Sequence, residues 1–253
     1  MKEVLNKFYN QSSNYFSGFK NFELQDIFNG WSKKEVVWLF ACILLTGLVS
    51  ILTNSKAIVF IYSIIGIVNL ILVAKGKLIN YIFGIISCFL YAIIALQKGV
   101  YGQFLLFLLF FTPMQFYGWY IWSNPENMLN KSTVKAKRLT LQQFAKIIAV
   151  IVVFASIYGF FILHLIFDQQ VGLVMDAIVG VVSIIAFLLM TKSYAEQWAL
   201  WIIIDILTII IWVDGLVYQH ITIAIIPVII TRILTLINAF YGYISWIKMH
   251  KNT

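Results

Sequence analysis

Glu196-Gln197-Trp198-Ala199-Leu200-Trp201-Ile202-Ile203-Ile204-Asp205 runs directly into Ile206-Leu207-Thr208-Ile209-Ile210-Ile211-Trp212-Val213. After Glu196 the one formal charge in this stretch is Asp205. A run of this length and apolarity suits a helix in hydrocarbon, which needs about 20 predominantly apolar residues to cross the bilayer core. On such a helix, positions i, i+3 and i+7 share a face. Trp198, Trp201 and Asp205 therefore form one stripe, which continues to Thr208 and Trp212. Flat aromatic walls beside one anionic group suit a flat, cationic, partly aromatic solute.

The rest of the chain repeats the pattern. Of its 253 residues, 62% are hydrophobic and 11% charged, against about 25% charged in a soluble domain. Eight apolar runs stand out, roughly 36–54, 57–74, 78–96, 101–122, 144–167, 171–190, 196–213 and 220–247. The alternating ten-residue strands of an outer-membrane barrel are absent. The expected fold is an all-α polytopic membrane protein with eight transmembrane helices.

The net charge of +8 resembles a nucleic-acid signal until its placement is read. With eight spans, one side collects Lys2, Lys7, Lys20, Lys33, Lys34, Lys75, Lys77, Lys131, Lys135, Lys137, Arg138, Lys146, Lys192, Lys248 and Lys251. Lys56 and Lys98 fall on the other side, and Arg232 lies inside the last span. This is the positive-inside asymmetry. It places both termini in the cytoplasm and accounts for the charge without a nucleic acid. Residues 1–34 carry scattered aromatics but no apolar core of a secretory signal, and are expected to lie along the cytoplasmic interface. Cys42 and Cys88 fall within apolar runs with no metal spacing, and read as small core residues.

An internal repeat is visible. Phe116-Tyr117-Gly118-Trp119-Tyr120-Ile121-Trp122 and Phe240-Tyr241-Gly242-Tyr243-Ile244-Ser245-Trp246 both read F-Y-G-aromatic-x-x-W. In the same order, Gly66 matches Gly180, Lys77 and Tyr81 match Lys192 and Trp198, and Gly99-Val100-Tyr101 matches Gly215-Leu216-Val217-Tyr218. The expected order is an interfacial segment 1–34, an added span 35–55, repeat one at 56–122, a cytoplasmic linker 123–143, a connector span 144–167, repeat two at 171–247 and a tail 248–253. Span counting gives the two three-span repeats the same orientation, the parallel arrangement of some transporters, in which solute binds near the midplane.

Polar side chains at bilayer depth are costly and by default face the bundle interior or a cavity. Asn69, Gln115, Asp205 and Asn238 are the deep ones. Gln115, Trp119 and Trp122 share one face, and Thr231, Thr235, Asn238 and Ser245 form a stripe on the last span. The candidate solute-binding set is Trp198, Trp201, Asp205, Gln115, Trp119, Asn69, Asn238 and Tyr241. Each has an ordinary competitor. A single Asn or Gln in a span often serves as glue between helices. Trp31, Trp122 and Trp246 read as interfacial belt residues, a role open to Trp198 too. Arg232 is placed to pair with Asp205 or Asp176 as a structural bridge. No H-E-x-x-H, Walker loop, Ser/His/Asp set or potassium-filter motif occurs, so neither an enzyme nor a cofactor or metal site is expected.

The pattern E-x-W-x-x-W-I-x-x-[ND] at Glu196–Asp205, together with Asn80-Tyr81-Ile82-Phe83-Gly84 and Tyr117-Gly118-Trp119-Tyr120-Ile121-Trp122, resembles the PnuC-type vitamin transporters over residues 56–247. The resemblance implies a 3+1+3 core like that of the SWEET sugar transporters. It implies facilitated diffusion of nicotinamide riboside across a bacterial inner membrane, trapping by a cytoplasmic riboside kinase that feeds NAD biosynthesis, and a homo-oligomer such as a trimer. In the family, Asn is the more usual residue where this chain has Asp205. A pyridinium ring would gain about 0.5–2 kcal/mol from stacking on Trp198 and Trp201. The core lacks the Arg or Lys cluster that phosphate recognition usually uses, so a mononucleotide is expected to be a poor substrate. Thiamine, another flat cation, or another flat vitamin is the alternative solute.

Overall fold

The computed structural model describes residues 30–97, 101–165, 171–218 and 226–252, with the side chains of 102, 159–165, 171–177, 212, 214–218 and 226–228 set aside. The expectations for residues 1–29, Lys98, Gly99-Val100, Asp176 and Trp212 lie outside what is described. Every extended element among the described residues is a helix. In chain order these are α1 (Lys33–Leu52), α2 (Ala57–Ala74), α3 (Asn80–Gln97), α4 (Tyr101–Leu106), a π-helical turn (Phe107–Phe111), α5 (Thr112–Ser123), a 3-10 turn (Pro125–Asn127), α6 (Leu141–Leu165), α7 (Val171–Thr191), α8 (Gln197–Tyr218) and α9 (Ile226–Lys251). Five described stretches are long and apolar enough to cross a membrane: Lys33–Leu52, Ala57–Ala74, Asn80–Gln97, Gln103–Ser123 and Leu141–Tyr158. Val37, Leu44 and Ile51 on α1 and Val152, Val153 and Phe154 on α6 are exposed, as lipid-facing side chains are.

Local chemistry starts two of these helices. Ser32 and Glu35 make a reciprocal capping box, with Ser32 N–H donating to Glu35 Oε2 at 2.6 Å and Glu35 N–H donating to Ser32 Oγ at 3.3 Å. Thr140 and Gln143 repeat the device before α6, at 2.9 and 3.2 Å.

The chain divides into two compact units, one comprising residues up to Leu45 with Lys56–Lys135, the other Thr46–Ser55 with Ala136–Asn252. In the first, α3 packs on α2 and α5; in the second, α8 packs on α7 and α9, and α6 on α7.

The same turn occurs once in each unit. After α2, Gly76 takes a left-handed conformation (φ 63°), Gly76 N–H donates to Val73 O at 2.9 Å, and Lys77 N–H to Leu72 O at 3.0 Å. After α7, Ser193 takes the same conformation (φ 63°), Ser193 N–H donates to Met190 O at 2.9 Å, and Tyr194 N–H to Leu189 O at 2.9 Å. Both are Schellman terminations, which satisfy the last carbonyls of a helix and favour glycine at the left-handed position. This register pairs Lys75, rather than Lys77, with Lys192, keeps Tyr81 opposite Trp198, and pairs Gly66 with Ser183. The left-handed residue anchors the match; the lysines, free to vary beside it, mislead.

The linker read from sequence as a cytoplasmic loop is paired backbone. Leu78 N–H donates to Ser132 O and Val134 N–H to Gly76 O, both at 2.9 Å, in the first unit. In the second, Lys137 N–H donates to Ser193 O at 2.7 Å and Ala195 N–H to Lys137 O at 2.9 Å. Each Schellman turn thus has its exposed edge closed by a short bridge.

Candidate functional site

In the first turn of α3 and of α8, the two units build the same aromatic clamp. Tyr81 is fully buried and meets Trp122 edge-on, with ring centroids 5.0 Å apart at 82°. Trp198 is fully buried and meets Trp246 at 6.2 Å and 73°. Each ring lies on a glycine of the facing helix: a Cβ on Gly118 would enter the Tyr81 ring, and one on Gly242 would sit 2.6 Å from Trp198 Cζ2. Only a residue without a side chain admits so close an approach. The F-Y-G-x-x-x-W repeat therefore encodes a packing device. Trp122 and Trp246 are not belt residues at a lipid interface: both are fully buried, because the rings close over Tyr81 and Trp198.

Beyond the clamp the units diverge. In the second unit, Asp205 lies two turns along α8 from Trp198 and is buried. The Thr235 hydroxyl on α9 donates to Asp205 Oδ1 at 2.9 Å and shares its proton with the Arg232 carbonyl, also at 2.9 Å. Arg232 Nη1 approaches the same Oδ1 at 3.4 Å. Of the two partners that the sequence offers Arg232, the structure shows Asp205. Asn238 is buried one turn from Thr235 towards the clamp, and Tyr241 is half-buried a turn further. Trp201 is half-buried and packs on the apolar core of Ile151, Val182, Ala186, Leu189, Leu200 and Ile204. The expected shared wall of Trp198 and Trp201 thus has two aspects. Trp198 is turned onto α9, while Trp201 flanks the α6–α7–α8 core and keeps part of its ring accessible.

In the first unit the corresponding depth is uncharged. Gln115 on α5 is buried and donates Nε2–H to Cys88 Sγ at 3.7 Å. Its Oε1 has no hydrogen-bond partner among the described residues. Gly84 makes room for that amide, since a Cβ there would overlap it. Asn69 on α2 is half-buried, with Oδ1 unpartnered among the described residues. Trp119 is half-buried on α5. The structure thus brings Asp205 together with Arg232 and Thr235, and Gln115 together with Gly84 and Cys88.

Two contributors escaped the sequence reading. Thr235 appears there as part of a polar stripe, without its role as donor to Asp205. Glu196 has no assigned role there, yet its buried carboxylate accepts from Leu139 N–H at 3.0 Å and from Arg138 Nε–H at 3.3 Å, fixing the entry to α6. The E at the head of the E-x-W-x-x-W pattern was the available signal.

Comparison with known proteins is consistent along the chain. Residues 56–248 match the family model described as nicotinamide mononucleotide transporter. The chain is 34% identical over 230 residues to a protein of Neisseria mucosa named nicotinamide riboside transporter PnuC, covering 90% of this chain and 86% of that one. It is 32% identical to the protein of the same name from Haemophilus influenzae, covering 90% and 96%. A crystal structure described as that of the vitamin B3 transporter PnuC superposes with a TM-score of 0.75 at 33% identity, covering 91% of this chain and 99% of that one. With its apolar helices, its paired aromatic clamps and these relatives, the chain belongs to the PnuC family, whose members are multi-pass membrane transporters and not enzymes.

Proposed function

We propose that this protein carries nicotinamide riboside across a bacterial inner membrane by facilitated diffusion, as a uniporter, with both termini in the cytoplasm. The observation that carries the reading is identity of 34% and 32% across nine-tenths of the chain to proteins named for that solute. The second unit supplies fitting chemistry. Trp201 offers a partly accessible ring face for a pyridinium, Asp205 offers a carboxylate for its charge, and Asn238 and Tyr241 offer hydrogen-bonding groups for ribose hydroxyls or a carboxamide. Trp198 supports these groups by packing, and its indole Nε1–H, unpartnered among the described residues, is a further donor. Gln115, Asn69 and Trp119 are the polar and indole groups of the first unit with the same chemistry. The two units are read as diverged copies of one three-helix repeat in a SWEET-like 3+1+3 core, with α1 added. A homo-oligomer and a cytoplasmic kinase that traps the riboside complete the proposal.

The riboside is favoured over the mononucleotide on charge. Away from their ends, α8 and α9 hold one cation, Arg232, and it is engaged with Asp205. A phosphate would meet that carboxylate without a second Arg or Lys to hold it. Purified protein in liposomes should exchange labelled riboside across the membrane after proton and sodium gradients are collapsed. Equal uptake of the mononucleotide, preference for thiamine, or loss of uptake with the gradients would each overturn the corresponding part.

A further inference from the structure

The ion pair at Asp205 is unequal. Asp205 retains 6% of its side-chain exposure, whereas Arg232 retains 41%. The carboxylate is held firmly from one side by the Thr235 hydroxyl at 2.9 Å. The guanidinium touches it through one nitrogen at 3.4 Å, longer than the about 2.7–3.2 Å of a well-formed N–H···O bond. The fork-to-fork geometry that makes Arg–carboxylate pairs strong is not adopted. Both contacts converge on Oδ1, and Oδ2 accepts no hydrogen bond among the described residues.

Direction matters as well. Thr235, Asn238 and Gly242 lie progressively towards the Trp198–Trp246 clamp along α9, and Arg232 lies on the far side of Thr235. The guanidinium therefore reaches Asp205 from the side away from the clamp. It can withdraw without disturbing the packed rings.

A buried carboxylate stripped of its counter-charge is strongly destabilised, so Asp205 needs a cation whether or not solute is present. We infer that Arg232 is a displaceable resident counter-ion. A cationic solute takes its place at Asp205, and this exchange makes the carrier select for positive charge on the solute. One cation leaves the carboxylate as another arrives, so the site stays neutral overall. Thr235 holds Oδ1 throughout and leaves Oδ2 for the incoming charge. Arg232 therefore opposes binding even though it stabilises the empty site. The inference deepens the proposed function and rests on it for the identity of the cation, but not for the preference for charge.

The test is calorimetry on the purified full-length chain, with cationic nicotinamide riboside, its neutral dihydro form and cationic thiamine. Wild type should prefer a cation to the neutral form. Arg232→Gln should bind the cation about tenfold more tightly with little change for the neutral ligand. Asp205→Asn should bring the cation-to-neutral ratio close to one. Arg232→Lys, which restores the charge, should return affinity towards wild type and guards against a folding defect in Arg232→Gln. Riboside binding with an unchanged cation-to-neutral ratio in Asp205→Asn, or weaker cation binding in Arg232→Gln together with wild-type affinity in Arg232→Lys, would overturn the exchange while leaving the functional reading intact. Thiamine binding without riboside binding, weakened in Asp205→Asn and tightened in Arg232→Gln, would support the exchange and overturn the functional reading. Binding of neither cation would overturn both.

Discussion

The two units agree where they pack and differ where they hold polar groups. Gly76 and Ser193 end helices with the same pair of hydrogen bonds, and Tyr81 and Trp198 lie on Gly118 and Gly242 in the same way. One turn further, Gly84 of the first unit stands where the second has Trp201; another turn on, Cys88 stands where the second has Asp205. The shared turns are scaffold, and the divergent positions above them are where one unit acquires a charge and an aromatic wall. Helix ends and ring-on-glycine contacts have few solutions, and both units share them. The space beyond is less constrained and accommodates an amide on sulfur in the first unit and an ion pair in the second.

The comparison breaks first at the clamp. Trp198→Ala should lower stability by about 3–5 kcal/mol, the cost of emptying a buried aromatic site, and Tyr81→Ala should behave alike. Thermal melts in detergent without solute measure this. If Trp198→Ala leaves the melt unchanged and only weakens solute binding, the clamp is not scaffold. Thr235→Val removes the bond to Asp205 at a cost of about 1.5–3 kcal/mol, the range for hydrogen bonds to charged groups. It should have no counterpart in the first unit, where Cys88→Ala should cost less. Gly84→Ala should destabilise by about 1–3 kcal/mol through overpacking against the Gln115 amide. Adding Gln115→Ala should recover part of the loss; strict additivity in that double-mutant cycle would show that the two residues do not touch. The smallest effect tests the likeness of the turns. Ser193 bears a left-handed strain of about 1–2 kcal/mol that Gly76 avoids, so Ser193→Gly should raise the melting temperature, and Gly76→Ser should lower it.

Apolar runs made the helices legible, because hydrocarbon imposes a length that no other environment requires. Most helix ends were legible to within four residues, but the end of α8 at Tyr218 and the start of α9 at Ile226 lie five and six residues beyond those expected. The linker was not, because its order comes from backbone groups of residues 132–137 paired to the two turns, and backbone hydrogen bonds leave little trace in side-chain identity. Asp205, Gln115 and Asn238 stood out because polar side chains are rare at depth. Their neighbours were harder to read: Thr235 resembles any threonine on a polar stripe, and Glu196 resembles an ordinary interfacial charge. Trp122 and Trp246 were misread because the interfacial belt and the buried clamp place the same residue at the same helical depth. The glycine four residues before each tryptophan distinguished them.

Between α4 and α5 the helix passes through the π-helical turn Phe107–Phe111, with Thr112 Oγ1 donating to the Phe107 carbonyl at 2.8 Å and Pro113 next in line. A π-turn is an α-helix carrying one extra residue, and each residue turns a helix by about 100°. The segment Tyr101–Leu106 is therefore set around the axis by one residue's rotation relative to the half that bears Gln115 and Gly118. Deleting a single phenylalanine from Phe107–Phe111 would close the wide turn into ordinary α-helix and keep the faces on either side, whereas winding all five residues as α-helix would turn one end by more than a quarter of a circle. For this stretch, a homologous chain one residue shorter keeps the same faces on either side of the turn, and an alignment that places the gap anywhere but at Phe107–Phe111 will match lipid-facing residues with buried ones.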